Sequence, residues 1–250
     1  MITIKNEAEL NIMRKAGKVL ADVLDMLSEK TKAGVSTKYL DTLAYEYIAK
    51  QNGVCSFYKY GGFPGHICIS VNEEIVHGIP NASKIIKDGD LVKLDAGVGM
   101  GGFHTDAART VQVGNVSLSA KRIAECAEGS FFEGLKAVKH GAFFSDWGIA
   151  VQEFAQKQGF SVVRCLCGHG IGREVHEDPQ ILNYYSRRTK GKMQSGMTLA
   201  FEPMLNAGVY EAKTLGNNWT VVTADGKLSA HYENTVIVTE GGAEIITVNK

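Results

Sequence analysis

The sequence predicts an α+β fold in which a unit of two helices and several antiparallel strands occurs twice. Three observations carry that expectation. Apolar residues recur at helical spacing in two stretches near the start, short strand-like runs follow, and the same order begins again near residue 117. Two such units, with no Pro-, Ser- or charge-rich linker between them, predict sheets pooled into one core and a single domain over residues 1–250.

From Asn6 to Ser28 the positions Leu10, Met13, Val19, Leu20, Val23, Leu24 and Leu27 make one apolar face, with Asn6 as N-cap. Ser36 or Thr37 can cap a second helix whose face is Leu40, Leu43, Tyr47 and Ile48, and Gly53 stops it. Strand-like runs follow at Ile67–Val71, Leu91–Asp95 and Phe103–Val113. In the second half a helical stretch runs from Ser117 to Val138. Another, carrying Ile149, Val151 and Phe154, is capped by Ser145 or Asp146 and ends at Gln158-Gly159, as the earlier one ended at Asn52-Gly53. Strands are expected again at Ser161–Cys165, Met197–Phe201, Trp219–Thr223 and Thr235–Thr239.

Lys+Arg and Asp+Glu both total 27, so the chain is formally neutral. This argues against a dedicated nucleic-acid binder, which would carry a strongly basic face, but leaves room for a local basic patch. The five cysteines are odd in number and form no C-x-x-C pair, which suits reduced thiols in a cytosolic protein. No signal peptide or membrane-length apolar run is visible, so a cytoplasmic protein is expected.

Against this background four acids stand out, each at the end of an apolar or Gly-rich run: Asp95, Asp106, Glu202 and Glu233. Buried carboxylates are costly unless paired, protonated or bound to a metal. At ~4 Å and an effective dielectric near 20, two of them repel by ~4 kcal/mol. Most have no Lys or Arg beside them in sequence, so their convergence would need cations, and two divalent ions balance four negative charges. His169, in the small-residue run Gly168-His169-Gly170-Ile171-Gly172, is the candidate imidazole ligand. His77 and His176 are expected to contact substrate or support the ligands, while His66, His104, His140 and His231 are expected to be structural or at the surface.

A two-residue turn at Met100-Gly101 pairs residue 99 with 102 and sets Asp95 directly opposite Asp106, close enough to grip one ion. No H-E-x-x-H is present, and no Lys-Ser/Thr follows the 168–172 glycines, so neither a zincin nor a phosphate loop fits. Carboxylates with one imidazole suit Mn, Fe(II), Co or Zn.

These residues resemble a known family. Val76-His77-Gly78-Ile79-Pro80, Gly168-His169-Gly170-Ile171-Gly172, His176-Glu177-Asp178-Pro179, Phe201-Glu202-Pro203-Met204 and Tyr232-Glu233-Asn234-Thr235 are similar, in order, to the motifs of type I methionine aminopeptidases. The resemblance implies the pita-bread fold, with pseudo-symmetric halves, and removal of the initiator methionine from nascent proteins and peptides when the second residue is small. It implies that Asp95 holds one of two divalent ions, that Asp106 and Glu233 bridge both, and that His169 and Glu202 complete the other ion's shell. Glu202 would also move the proton, His77 and His176 would contact the substrate amide, and Tyr60, Phe63, Cys68 and Trp219 would line the methionine pocket.

Gly61-Gly62 stands where many relatives have His-Gly, and Val175 where an aromatic is frequent. The short gap between His176 and Glu202 favours type I over type II. Expected partners are peptides and nascent chains with N-terminal methionine and, further, the ribosome, but neither DNA nor membrane, for a monomeric enzyme. Two rivals share the fold. One is an Xaa-Pro aminopeptidase or prolidase, and the other a catalytically silent ribosome- or RNA-associated protein.

Overall fold

The computed structural model describes residues 2–249; Met1 and Lys250, the ends of the expected domain, lie outside them. The first half runs α1 (Glu7–Lys30), α2 (Thr37–Lys50), β1 (Val54–Cys55), β2 (Cys68–Val71), β3 (Glu74–Val76), then a long hairpin of β4 (Leu91–Met100) and β5 (Phe103–Gln112). The second half runs α3 (Leu118–Leu135), α4 (Phe144–Lys157), β6 (Ser161–Val162), β7 (Gly168–Gly170), β8 (Glu177–Ile181), β9 (Thr198–Phe201) and β10 (Met204–Asn206). It closes with β11 (Ala212–Thr214), β12 (Val221–Thr223), β13 (Ser229–His231), β14 (Glu233–Val238) and β15 (Ala243–Ile245).

The helices start where side chains can satisfy their free N–H groups. The Asn6 side chain accepts from Glu9 N at 3.1 Å while Glu9 returns the bond to Asn6 N at 3.0 Å, a reciprocal capping box. Ser36 accepts from Tyr39 N and Ser117 from Ala120 N. The expected cap of α4 needs correction. Phe143 occupies the cap position, and the Asp146 carboxylate takes the Phe143 N–H at 2.9 Å from inside the first turn. The strand expected over 161–165 is confined to Ser161–Val162, and the one expected from Trp219 begins at Val221.

One antiparallel sheet spans both halves in the order β1-β4-β5-β14-β9-β7-β8, with β2 added to β4 and β15 to β14. Its seam is β5 against β14, where Ala108 pairs with Glu233 and Ala107 with Asn234. Two smaller sheets, β13-β10-β6 and β11-β12-β3, lie beside it.

Strand alternation divides the sheet's two faces. Leu94, Ala96 and Val98 of β4 and Ala107 of β5 join Leu20, Leu24, Leu40 and Ile48 of α1 and α2 in one core. Leu199 and Phe201 of β9 and Val236 and Val238 of β14 join Phe131 of α3 and Trp147 of α4 in another. Each fully buried Leu, Ile, Val or Phe among them contributes ~1.5–3 kcal/mol. The intervening acids, Asp95, Asp106 and Glu233 among them, point to the other face, because successive side chains point to opposite faces.

Candidate metal centre

The register explains how distant acids meet. Asp95 pairs with Ala108, and Ala108 with Glu233, so these form one row across the sheet; Glu202 follows Phe201, which pairs with Asn234. A second row, two residues along, runs through Gly97, Asp106, Thr235, Ala200 and His169. A spacing of two keeps both rows on one face. Ligand atoms of Asp106, His169 and Glu233 all lie within 4.8 Å of one another. His169 Nε2 is 3.6 Å from Glu202 Oε1.

The expected pairing of Asp95 with Asp106 is therefore corrected: Asp106 pairs with Gly97, and the two acids are diagonal neighbours. The turn is Gly101-Gly102, with φ of +56° and +79°. A two-residue hairpin turn of the twist-compatible kind needs positive φ at both central positions, which two glycines supply and Met100 would resist.

Fixed protein groups orient these side chains. His169 Nδ1 lies 2.9 Å from Gly170 O, so it carries the proton and leaves the Nε2 lone pair toward the acids. A Cβ on Gly170 would stand 2.1 Å from Asp178 O, so only glycine lets β8 close on the strand that carries His169. Thr235 Oγ1 accepts from Asp106 N and donates to Asp106 O, both at 2.8 Å. Trp147 Nε1 donates to Asn183 Oδ1 at 3.0 Å, and Asn183 Nδ2 donates to Glu202 O at 2.9 Å, tying the acid's backbone to the helical core.

The residues present fit a divalent ion. Asp95 Oδ1 and Asp106 Oδ1 are buried with no hydrogen-bond partner among the described residues, an expensive state for a carboxylate. Burial pushes Asp95 up to about 7. Burial first, and the neighbouring carboxylates second, push Asp106, Glu202 and Glu233 well above the ordinary range. His169 is lowered to about 3 by burial and by His176, so it is neutral at pH 7, the form that binds metals.

Beside the acids is a cavity of about 160 Å³, bordered by Asp95, Asp106, His169, Glu202 and Glu233. Tyr60, Phe63, Cys68 and Trp219 line it as well, as do His77 and His176, so all the expected site residues reach one space. His176 Nδ1 is 2.9 Å from Tyr60 Oη, and its ring lies 4.2 Å from that of His169. His77 has φ +58°, rare for a residue with a Cβ. Burial, with His176 nearby, lowers His77 to about 4, leaving it neutral. A larger groove of about 910 Å³ runs past β8 between Arg164 and Lys190 but contains none of these ligands, so size alone is a poor guide to the site.

Sequence reasoning missed Phe57 in the cavity wall, where no local pattern marks it. It also left His231 aside. That histidine is buried, and its Nε2 lies 3.6 Å from Glu233 Oε2 and 3.9 Å from Glu202 Oε2. The available signal was its position two residues before Glu233, on the same side of an alternating run.

Residues 11–240 match the metallopeptidase family M24. The chain is 48% identical to a methionine aminopeptidase of Clostridium perfringens, each covered in full, and 44% identical to one from Escherichia coli K12, covering all of this chain and 95% of the relative. Its structure superposes on a methionine aminopeptidase of Thermotoga maritima with a TM-score of 0.97 at 39% identity, each chain covered in full. A prolidase from Pyrococcus furiosus reaches 0.80 at 23% identity over 99% of this chain and 66% of that one, which speaks for the shared pita-bread fold alone. The chain belongs to metallopeptidase family M24, among its methionine aminopeptidases.

Proposed function

We propose that this chain is one catalytic domain that removes the initiator methionine from nascent proteins and peptides whose second residue is small, working as a cytoplasmic monomer with access to the ribosome. The observation that carries the site assignment is the convergence of Asp95, Asp106, His169, Glu202 and Glu233 beside a small apolar cavity. Asp95, Asp106, His169, Glu202 and Glu233 would together hold two divalent ions, whose charge would balance the four carboxylates. Such ions supply Lewis-acid polarisation and a nucleophile at neutral pH.

The chain's own residues do the rest. The cavity, far smaller than the ~300–1,000 Å³ of a drug-sized site, takes one flexible side chain, and a thioether suits the edges of Phe63 and Trp219 and the thiol of Cys68. His77 and His176, both neutral, donate N–H groups toward the scissile amide as charge develops on it. Tyr60 holds the His176 ring through its hydroxyl. Glu202 takes a proton from the attacking water and delivers it to the leaving amine, a role suited to a carboxyl that burial raises above the ordinary carboxylate range.

Hydrolysis of Met-Ala-Ser by metal-stripped protein supplied separately with Mn, Fe(II), Co or Zn tests this reading. Met-Ala-Ser should be cleaved far faster than a peptide with a bulky second residue or an Xaa-Pro peptide. Preference for the Xaa-Pro substrate would transfer the site to a prolidase-type reaction.

A further inference from the structure

We propose that a three-ring stack, Tyr45–His66–Tyr58 seated on Asp41, is a clasp that holds the pocket-forming loop against α2 and so sets which side chain the pocket accepts. The inference rests on reading the cavity as the site of the methionine side chain. Residues 56–67 supply Phe57, Tyr60, Gly61 and Phe63 to the cavity wall and lead directly into Cys68. Little regular structure fixes them. Lys59, Gly61 and Gly62 all have positive φ, and the N–H groups of Tyr58, Lys59, Tyr60, Gly62 and Phe63 donate to carbonyls of residues 55–63, within or just before the loop. Apart from Ser56 N, which donates to Gly97 O at 2.9 Å where the loop begins, its position comes from side chains.

On the cavity side the tethers are Phe63 against Trp219, with ring centroids 5.2 Å apart, and Tyr60 on His176. These touch the space that substrate would enter. On the opposite side Tyr58, between Phe57 and Tyr60 in sequence, stacks on His66 at 4.7 Å and 21°, and His66 stacks on Tyr45 of α2 at 4.6 Å and 29°. The middle ring is fixed from below. Asp41, fully buried in α2, accepts from His66 N at 2.7 Å, Ile67 N at 3.2 Å and Lys38 Nζ at 2.7 Å, and lies 3.0 Å from His66 Nδ1. One carboxylate thus locks both the ring and the backbone where the loop turns into β2.

Tyr45 and Tyr58 are 49% and 47% exposed, so the fold does not need them as core. Two half-exposed tyrosines held flat on a histidine whose position a buried acid dictates is an arrangement that sets geometry. Tyr58, His66 and Tyr45 border neither the cavity nor the acids, so they are positioning residues.

The test measures KM and kcat for Met-Ala-Ser, and the ratio of kcat/KM for methionine over leucine and norleucine peptides, in wild type, Tyr58→Ala, His66→Ala and Tyr58→Phe. Tyr58→Ala and His66→Ala should raise KM several-fold, up to about tenfold, with kcat little changed, and should lower the preference for methionine. Tyr58→Phe keeps the stack and should match wild type. Unchanged KM and side-chain preference in both alanine variants would overturn the clasp, even if their melting temperatures fall. A wild-type enzyme that fails to cleave methionine peptides at all would instead remove the pocket reading on which the clasp depends.

Discussion

His231 lies against Glu233 with its Nε2 3.6 Å from the carboxylate oxygen Oε2, too far for a hydrogen bond, and neither ring nitrogen has a hydrogen-bond partner among the described residues. Burial lowers the imidazole to about 3, with His77, Lys93 and Arg109 adding repulsion, so it is neutral and the pair is not a salt bridge. A neutral ring held against two raised carboxyls, those of Glu233 and Glu202, is placed to orient both once they are ionised by a metal. Replacing it by Ala should weaken metal affinity by ~10–100-fold, whereas His231→Gln, which keeps a donor, should lose less. Competition with a chromogenic chelator reads both numbers. Equal affinities in wild type and the Ala variant would remove His231 from this role.

Asp106 and Glu233 lie in different rows of the sheet yet bring ligand atoms within 4.8 Å of each other and of His169. Asp106→Asn and Glu233→Gln keep size while removing charge. Each should strip the protein of bound metal and abolish peptide hydrolysis without unfolding it, because a neutral amide takes the place of a carboxyl whose ionised form is costly to bury in the free protein. Metal analysis after dialysis and circular dichroism check the two halves of the expectation. Retention of two equivalents of metal by either variant would remove that carboxylate from the set of ligands.

Glu202 stands apart from those ligands in its proposed proton transfer. Glu202→Gln should lower kcat by ~10²–10⁴-fold with smaller change in KM, measured under saturating metal. Near-normal turnover with metal bound would assign the proton to another group.

Support for Glu202 reaches back to α4 through Asn183, which accepts from Trp147 and donates to Glu202 O. Asn183→Ala leaves the buried Trp147 N–H and the Glu202 carbonyl unpaired, so it should cost ~1–3 kcal/mol in urea unfolding. It should also lower kcat more than it raises KM. Trp147→Phe removes only the donor end and should cost less in kcat.

Protons and metal compete for the same oxygens. Asp95 rises to about 7, and Asp106, Glu202 and Glu233 well above the ordinary range, so near neutral pH the metal-free site holds protons on its carboxyls. Divalent ions must displace them, so metal uptake releases protons and tightens as pH rises through 7. His169 and His231 are already neutral there and contribute none. Calorimetric titration of the stripped enzyme in two buffers of different ionisation enthalpy should give different heats, with net proton release. Identical heats in both buffers would mean the acids are already ionised before metal arrives.

Much of the architecture was legible locally. Asn6, Ser36 and Ser117 announce three helix starts because an N-cap needs only a side-chain oxygen in reach of the next turn. Asp95, Asp106, His169, Glu202 and Glu233 were legible as a set because acids are rare in apolar strand-like runs unless something compensates them. Phe143 at the start of α4 was not, since the group satisfying it comes from three residues downstream.

By itself the sequence determined the helices, the strand-borne acids and their chemical type, all set by neighbours within a turn or a strand. Only the tertiary structure decided how those acids meet. The hairpin register is fixed by the conformation of Gly101-Gly102 and by pairing across the sheet, and it moved Asp106 from Asp95 to Gly97. A slip of two residues preserves the face of every side chain, so the site survived the shift, whereas a slip of one would have turned each acid into the core. The approach of Phe57 to the cavity depends in the same way on strands and loops far apart in the chain, and no local pattern encodes that distance.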